Sequence, residues 1–145
     1  MLSSKIGLSV AEEKKYVGLL FFFFAVQIMS WVPRFPEVKA NLGLSNGEFG
    51  TYLSLGSVGA VIAMLSSGHF VHKLGAKPVL IISTLSMCLS ISTIVHLQST
   101  SVFIIANMIN GASISAFNIA LNAQAFHAQD RAGELILSRQ HGYWT

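Results

Sequence analysis

The chain has 145 residues, of which 52% are hydrophobic and only 10% charged, with a mean hydropathy of +0.61. Soluble domains carry about 25% charged residues, so an ordinary cytosolic enzyme is excluded, as are a disordered chain and a disulfide scaffold, for which one cysteine does not suffice. The formal charge of +3 comes without a basic, aromatic-interleaved stretch, which excludes nucleic acid as a partner.

The charged residues cluster and leave residues 16–33, 49–72 and 78–129 without one. About 20 apolar residues cross a hydrocarbon core of roughly 30 Å as a helix. The first two windows therefore fit one helix each, and the third fits two, divided at the polar stretch His96-Leu97-Gln98-Ser99-Thr100-Ser101. The pattern predicts an all-α membrane protein, its partner the lipid bilayer, with a four-helix region over 16–124 and spans at about 17–33, 49–71, 78–96 and 102–123. Segments 1–15 and 125–145 flank it. Lys and Arg stay on the cytoplasmic side of short loops. Lys5, Lys14, Lys15, Lys73, Lys77, Arg131 and Arg139 fall on one side, against Arg34 and Lys39 on the other, which puts both termini in the cytoplasm.

The first span follows a basic start, as a secretory signal would. It runs on to Pro33 without a small-x-small cleavage site, however, and further spans follow. Gln27, Trp31 and Arg34 share one of its faces at i, i+4 and i+7, while Trp31 also has the place of an interfacial belt residue. The second span carries Gly56 and Ala60, and Gly59, Ala63 and Ser67, at the spacing that lets helix backbones approach. The third aligns Ser83, Ser86, Ser90 and Thr93 and holds Cys88, a small core residue. The fourth repeats the small-residue device with Ala112, Ala116 and Ala120.

The fourth span also carries the clearest polar set. Asn107, Asn110, Gly111, Ser115, Asn118 and Asn122 fall within an arc of about 140°, so the asparagines form a ladder about 22 Å long. Two readings are open. Gln27, Trp31, Arg34, Asn107, Asn110, Asn118 and Asn122 line a polar cavity for a small solute, or the amides are hydrogen-bond glue between helices.

Nothing in the spans suits catalysis. They contain no acid for general acid/base chemistry, and the sequence has no His-Glu-x-x-His, cysteine pair or phosphate-cradling glycine loop. His69 and His72 lie three apart beside Lys73, and two ligands do not define a metal site. The expectation is no enzyme, no cofactor and no metal.

The stretch Gly68-His69-Phe70-Val71-His72-Lys73-Leu74-Gly75-Ala76-Lys77-Pro78 resembles the loop motif Gly-x-x-x-Asp-Arg-x-Gly-Arg-Arg/Lys of the major facilitator superfamily, and it stands where that family carries it. Gly68, Gly75 and Lys77 match and Lys73 replaces an arginine, while His72 stands at the acidic position and Ala76 at a basic one. The resemblance implies a tight cytoplasmic turn whose charges latch neighbouring helices, a latch that loses its acid here. Trp31-Val32-Pro33-Arg34-Phe35-Pro36, Asn41-Leu42-Gly43-Leu44-Ser45 and Glu48-Phe49-Gly50 resemble the first external loop and second-helix entry of fucose-permease-like bacterial permeases. Residues 118–125 resemble the end of their fourth helix, and residues 138–144 the approach to their fifth.

The four helices thus resemble helices 1–4 of the superfamily's amino-terminal half. The resemblance implies a permease for a small, sugar-like or neutral polar solute in the bacterial inner membrane. Gln27, Asn110 and Asn118 stand where sugar permeases carry coupling acids, and Asn107 where drug antiporters carry an arginine, so neither coupling chemistry is expected in this segment. Alternating access needs repeats rocking about a shared site. The expectation is therefore a truncated fragment, inactive until the missing remainder of the permease joins it. The alternatives are an oligomeric four-helix exporter, a class that needs a membrane-embedded glutamate in its first helix, and a non-transporting membrane adaptor.

Overall fold

The first helix, α1 (Val10–Trp31), starts where Ser9 and Glu12 form a capping box. The Ser9 hydroxyl accepts the Glu12 N–H at 3.3 Å, and the Glu12 carboxylate accepts the Ser9 N–H at 2.8 Å. These bonds satisfy two of the donors that every helix start leaves over. The structure is a computed structural model that describes residues 9–96 and 98–133. Lys5, Arg139 and the stretch 138–144 that resembles a fifth-helix approach lie outside the described residues, as does everything from 134 onward.

After α1 the chain makes a single 3-10 turn, Val32–Arg34, and a short helix α2, Phe35–Asn41. Pro33 and Pro36 sit in the opening positions of these two elements, where a missing N–H costs nothing and a fixed φ favours the helix. A second capping box, Ser45 with Glu48, starts α3 (Asn46–Ser54). Leu55 alone separates α3 from α4 (Gly56–Leu74), and Gly75 alone separates α4 from α5 (Ala76–His96). Helix α6 runs over Thr100–Ala132.

Taken as continuous rods, Val10–Asn41, Asn46–Leu74, Ala76–His96 and Thr100–Ala132 are each long and apolar enough to cross a membrane. Over the described residues the architecture is all-α, with four long helices. The helices extend past the apolar windows where α1 and α3 start in polar capping boxes and where the last turns of α4 and α6 carry Lys73 and Arg131.

Helix α6 packs against α1, α4 and α5 and forms the centre of the bundle. Towards one end, Val17, Phe21 and Phe24 of α1 meet Leu80 and Met87 of α5 and Phe117 and Leu121 of α6. The Phe24 and Phe117 rings stack at 4.7 Å. Towards the other end, Trp31, Val38, Phe49, Ile94, Phe103 and Ala106 form a second cluster. Between α4 and α6 there is no side-chain layer at the crossing. A Cβ on Gly59 would collide with the Met108 carbonyl oxygen, and one on Gly111 with the Gly56 carbonyl oxygen. Such backbone contact is how helices associate in lipid, which gives no hydrophobic drive of its own.

Large apolar side chains, among them Phe23, Met64, Leu65, Leu85 and Leu89, face outward. So much exposed apolar surface is foreign to a soluble monomer and suits contact with hydrocarbon.

Candidate functional site

The asparagine ladder of α6 divides into two halves with different surroundings. Asn107 and Asn110 are 3% and 2% exposed, while Asn118 and Asn122 are half-buried on the flank of the helix. The Asn107 amide donates to the carbonyl oxygens of Leu53, at 2.8 Å, and Tyr52, at 3.1 Å. Gly56 makes room for it, since a Cβ there would stand 2.9 Å from Asn107 Nδ2. One turn along, the Asn110 Oδ1 is buried without a hydrogen-bond partner among the described residues.

In the other half, the Asn122 amide donates to Asn118 Oδ1 at 2.6 Å, and the Asn122 Oδ1 is buried without a hydrogen-bond partner among the described residues. An amide carbonyl has two acceptor positions, and an unfilled buried one is costly. The pair therefore presents an open acceptor to any O–H or N–H donor that reaches it. Gln27 of α1 is also half-buried, and its Nε2 lies 3.8 Å from the Sγ of Cys88, a weak acceptor that is exposed on α5 and not the core residue expected. It lies three residues from Phe24, whose ring stacks on Phe117, the chain neighbour of Asn118. Because α1 and α6 run antiparallel, Gln27 lies on the Trp31 side of this stack and the Asn118–Asn122 pair on the Arg131 side.

Trp31 and Arg34 are separated from them. Helix α1 ends at Trp31, which is 6% exposed and sits edge-on to Phe35 at 4.5 Å. Phe35 continues to Phe49 and Phe49 to Phe103, each at 5.7 Å. The 3-10 turn carries Arg34 out to an exposed ion pair with Glu37 at 3.2 Å. The single face predicted for Gln27, Trp31 and Arg34 needs an uninterrupted helix, and the turn at Pro33 interrupts it.

The motif-like turn lies at the opposite end of the bundle from the aromatic chain. Gly68 is exposed in α4, His72 and Lys73 are exposed in its last turn, and Lys77 is exposed in the first turn of α5. Gly75 has φ 87° and donates its N–H to the Val71 carbonyl at 2.9 Å. The motif's acidic position is His72. At the same end, Glu13 of α1 and Arg131 of α6 form an ion pair at 3.0 Å. Sequence reasoning missed this pair because each residue read as a flanking charge and nothing local links them. Among the described residues, no group of three or more His, Cys, Asp or Glu is placed to hold a metal ion.

A family model described as the Major Facilitator Superfamily matches residues 17–131. The chain belongs to the major facilitator superfamily. It is 27% identical over 127 residues to an uncharacterized MFS-type transporter of Yersinia pestis, covering 88% of this chain and 33% of that relative. It is 25% identical over 126 residues to the membrane protein MosC of Rhizobium meliloti, covering 87% of this chain and 31% of MosC. A gallate transporter of Pseudomonas putida is 35% identical over 68 residues, covering 47% of this chain and 15% of that protein. The chain spans about a third of the length of the first of these curated relatives. No solved structure gives a significant match. This member of the superfamily is thus a multi-pass membrane protein of a transporter family, and the resemblance carried by the α4–α5 turn agrees with the match over residues 17–131.

Proposed function

We propose that the chain supplies the first four spans of a permease for a small, neutral polar solute, with Gln27, Asn118 and Asn122 on the solute's path. One observation carries this reading: the Asn118–Asn122 amide pair is half-buried among apolar helices and keeps an unfilled acceptor at Asn122 Oδ1. Polar groups inside a membrane face a cavity or a partner, and a hydroxyl-bearing solute of sugar-like character provides the donor this acceptor lacks. Asn107 and Asn110, being buried, belong to the wall of that path. Trp31 and Arg34 belong to its outer end.

The remaining spans come from the rest of the permease, because rocking about a midplane site takes more than four helices. The chain's share of its relatives' length supports this. The fucose-permease-like character rests on the residues around Trp31–Pro36 and Asn118–Ala125. The excess of Lys and Arg before and in the first turns of α1, at the α4–α5 turn and from the last turn of α6 onward supports cytoplasmic termini in a bacterial inner membrane.

The test is uptake of a panel of labelled neutral sugars and polyols into vesicles that hold the permease carrying this segment. Asn118→Leu with Asn122→Leu is expected to abolish uptake while the protein stays in the membrane. Uptake retained by the double variant overturns the assignment. Reporter fusions after Trp31, Leu74 and His96 test the orientation. A reporter active only outside the cell is expected to be silent after Leu74 and active after the other two.

A further inference from the structure

We propose that Asn107 holds the second span broken at Leu55, and that the span reseals into one continuous helix when this amide withdraws. The inference is independent of where the solute passes.

In an uninterrupted α-helix the carbonyls of Tyr52 and Leu53 would accept the N–H groups of Gly56 and Ser57. Around the break the recorded pattern is instead the tighter i to i−3 kind. The Leu55 N–H donates to the Tyr52 carbonyl at 3.3 Å and the Val58 N–H to the Leu55 carbonyl at 3.1 Å. Asn107 reaches across from α6 and donates to the same two carbonyls of Tyr52 and Leu53. Two hydroxyls close the rest of the gap, Ser54 donating to the Thr51 carbonyl at 2.7 Å and Ser57 to the Ser54 carbonyl at 2.6 Å.

Sharp kinks arise at proline, at Gly/Ser pairs, or where a side chain enters the hydrogen-bond ladder. There is no proline between Tyr52 and Val58. Ser54, Gly56 and Ser57 make the segment pliable, and the Asn107 amide occupies the ladder. Its position depends on Gly56, whose missing Cβ is the space in which the amide lies.

The arrangement has two states that satisfy the same acceptors. Either the Asn107 amide donates to Tyr52 and Leu53 and the span is broken, or the N–H groups of Gly56 and Ser57 donate and it is continuous. The Tyr52 and Leu53 carbonyls are thereby satisfied from within the protein in both states, as lipid requires, and the exchange at these acceptors is a swap of donors. It is tied to the contact between α4 and α6, because Gly111, four residues from Asn107, packs its Cα against the Gly56 carbonyl. Parting of α4 from α6 withdraws the amide and lets the hydrogen-bond ladder of the second span reseal.

The experiment uses the full chain in lipid nanodiscs, with Cys88→Ser and spin labels on cysteines introduced at Gly47 in α3 and Leu89 in α5, both exposed. Gly47 lies about 12 Å along the helix from Leu55, so a reorientation of α3 by about 20° about Leu55 moves it by roughly 4 Å. Asn107→Leu removes the donor, and Gly56→Ala displaces it. Each is expected to shift the label distance by about 4 Å or more in the same direction, while Asn110→Leu, the same change one turn along α6, leaves it in place. An unchanged distance in both variants with helix content preserved overturns the proposal. So does an equal shift in Asn110→Leu, which would reduce the effect to general loosening of the bundle. If Asn107→Leu does not enter the membrane, Gly56→Ala alone gives the same two outcomes.

Discussion

The Glu13 carboxylate lies 3.0 Å from Arg131 Nη1, so the first turn of α1 is tied to the last turn of α6 across 118 positions of sequence. Each charge also suits its helix end, an acid at an N-terminus and a base at a C-terminus. The two partners differ in burial, with the Glu13 side chain 7% exposed and the Arg131 side chain 43% exposed. That asymmetry sets the outcome of mutation. Glu13→Gln removes the buried charge and leaves Arg131 to solvent, a change of at most about 1 kcal/mol, as for a screened pair. Arg131→Ala leaves a buried carboxylate without this partner, and its cost is larger, about 1–3 kcal/mol. Thermal unfolding of the purified chain in detergent checks the order. A lower midpoint for Glu13→Gln than for Arg131→Ala contradicts it.

The crossing of α4 and α6 makes a second prediction. A methyl group on Gly59 or Gly111 meets a carbonyl oxygen of the facing backbone, and backbone cannot step aside as a flexible side chain does. Gly59→Ala and Gly111→Ala are each expected to destabilise the bundle by about 1–3 kcal/mol, the range for overpacked sites. Gly68 has open space around its Cα and is helical. Gly68→Ala is expected to be neutral or to stabilise by up to about 1 kcal/mol through helix propensity. If the three variants unfold at the same temperature, the two helices do not touch at these glycines.

These cases show which features were legible in the sequence. The four long helices follow from where charges are missing, because the cost of burying charge in hydrocarbon acts on every span separately. Of the small residues Gly56, Ala60, Gly59, Ala63 and Ser67, whose spacing reads as packing surfaces, all but Ala60 are buried in α4. The break at Leu55 had no such signal, since its cause is an amide 52 positions away rather than a proline nearby. The Asn107 amide read equally well as cavity lining or as glue, and only its contact with Tyr52 and Leu53 shows what it bonds to. The Glu13–Arg131 pair was hidden for the same reason. Periodicity tells which residues share a face but not what that face meets.

Gly75 makes the third prediction. It is the only residue between α4 and α5, and its φ of 87° with ψ of 160° lies in a region that is essentially closed to residues with a side chain. The turn therefore depends on this residue type, although the space around it is open. Gly75→Ala is expected to cost about 1–3 kcal/mol. Lys73→Ala and Lys77→Ala, at exposed positions flanking the turn, are expected to cost within about 0.5 kcal/mol. Unfolding midpoints of the three variants in the same detergent test this, and a Gly75→Ala protein as stable as the parent would rule out the conformational requirement.

The aromatic chain from Trp31 through Phe35 and Phe49 to Phe103 makes the last prediction, and it bears on whether Trp31 meets the aqueous phase. Trp31 is 6% exposed and Phe103 is fully buried, with the Phe103 ring stacked on Phe49. In a Trp144→Phe background Trp31 is the sole tryptophan. Its emission is expected to be blue-shifted and weakly quenched by acrylamide. Phe103→Ala removes the terminal ring of the chain and leaves a cavity beside Phe49, at a cost of about 3–5 kcal/mol. With its neighbours loosened, Trp31 is expected to move to the red and to become several-fold easier to quench. A Trp31 that is strongly quenched before Phe103 is altered would instead line a water-filled space, and the aromatic chain would then be a mouth rather than a seal. A Trp31 that stays protected in Phe103→Ala would show that Phe35 and Val38 hold it without help from the rest of the chain.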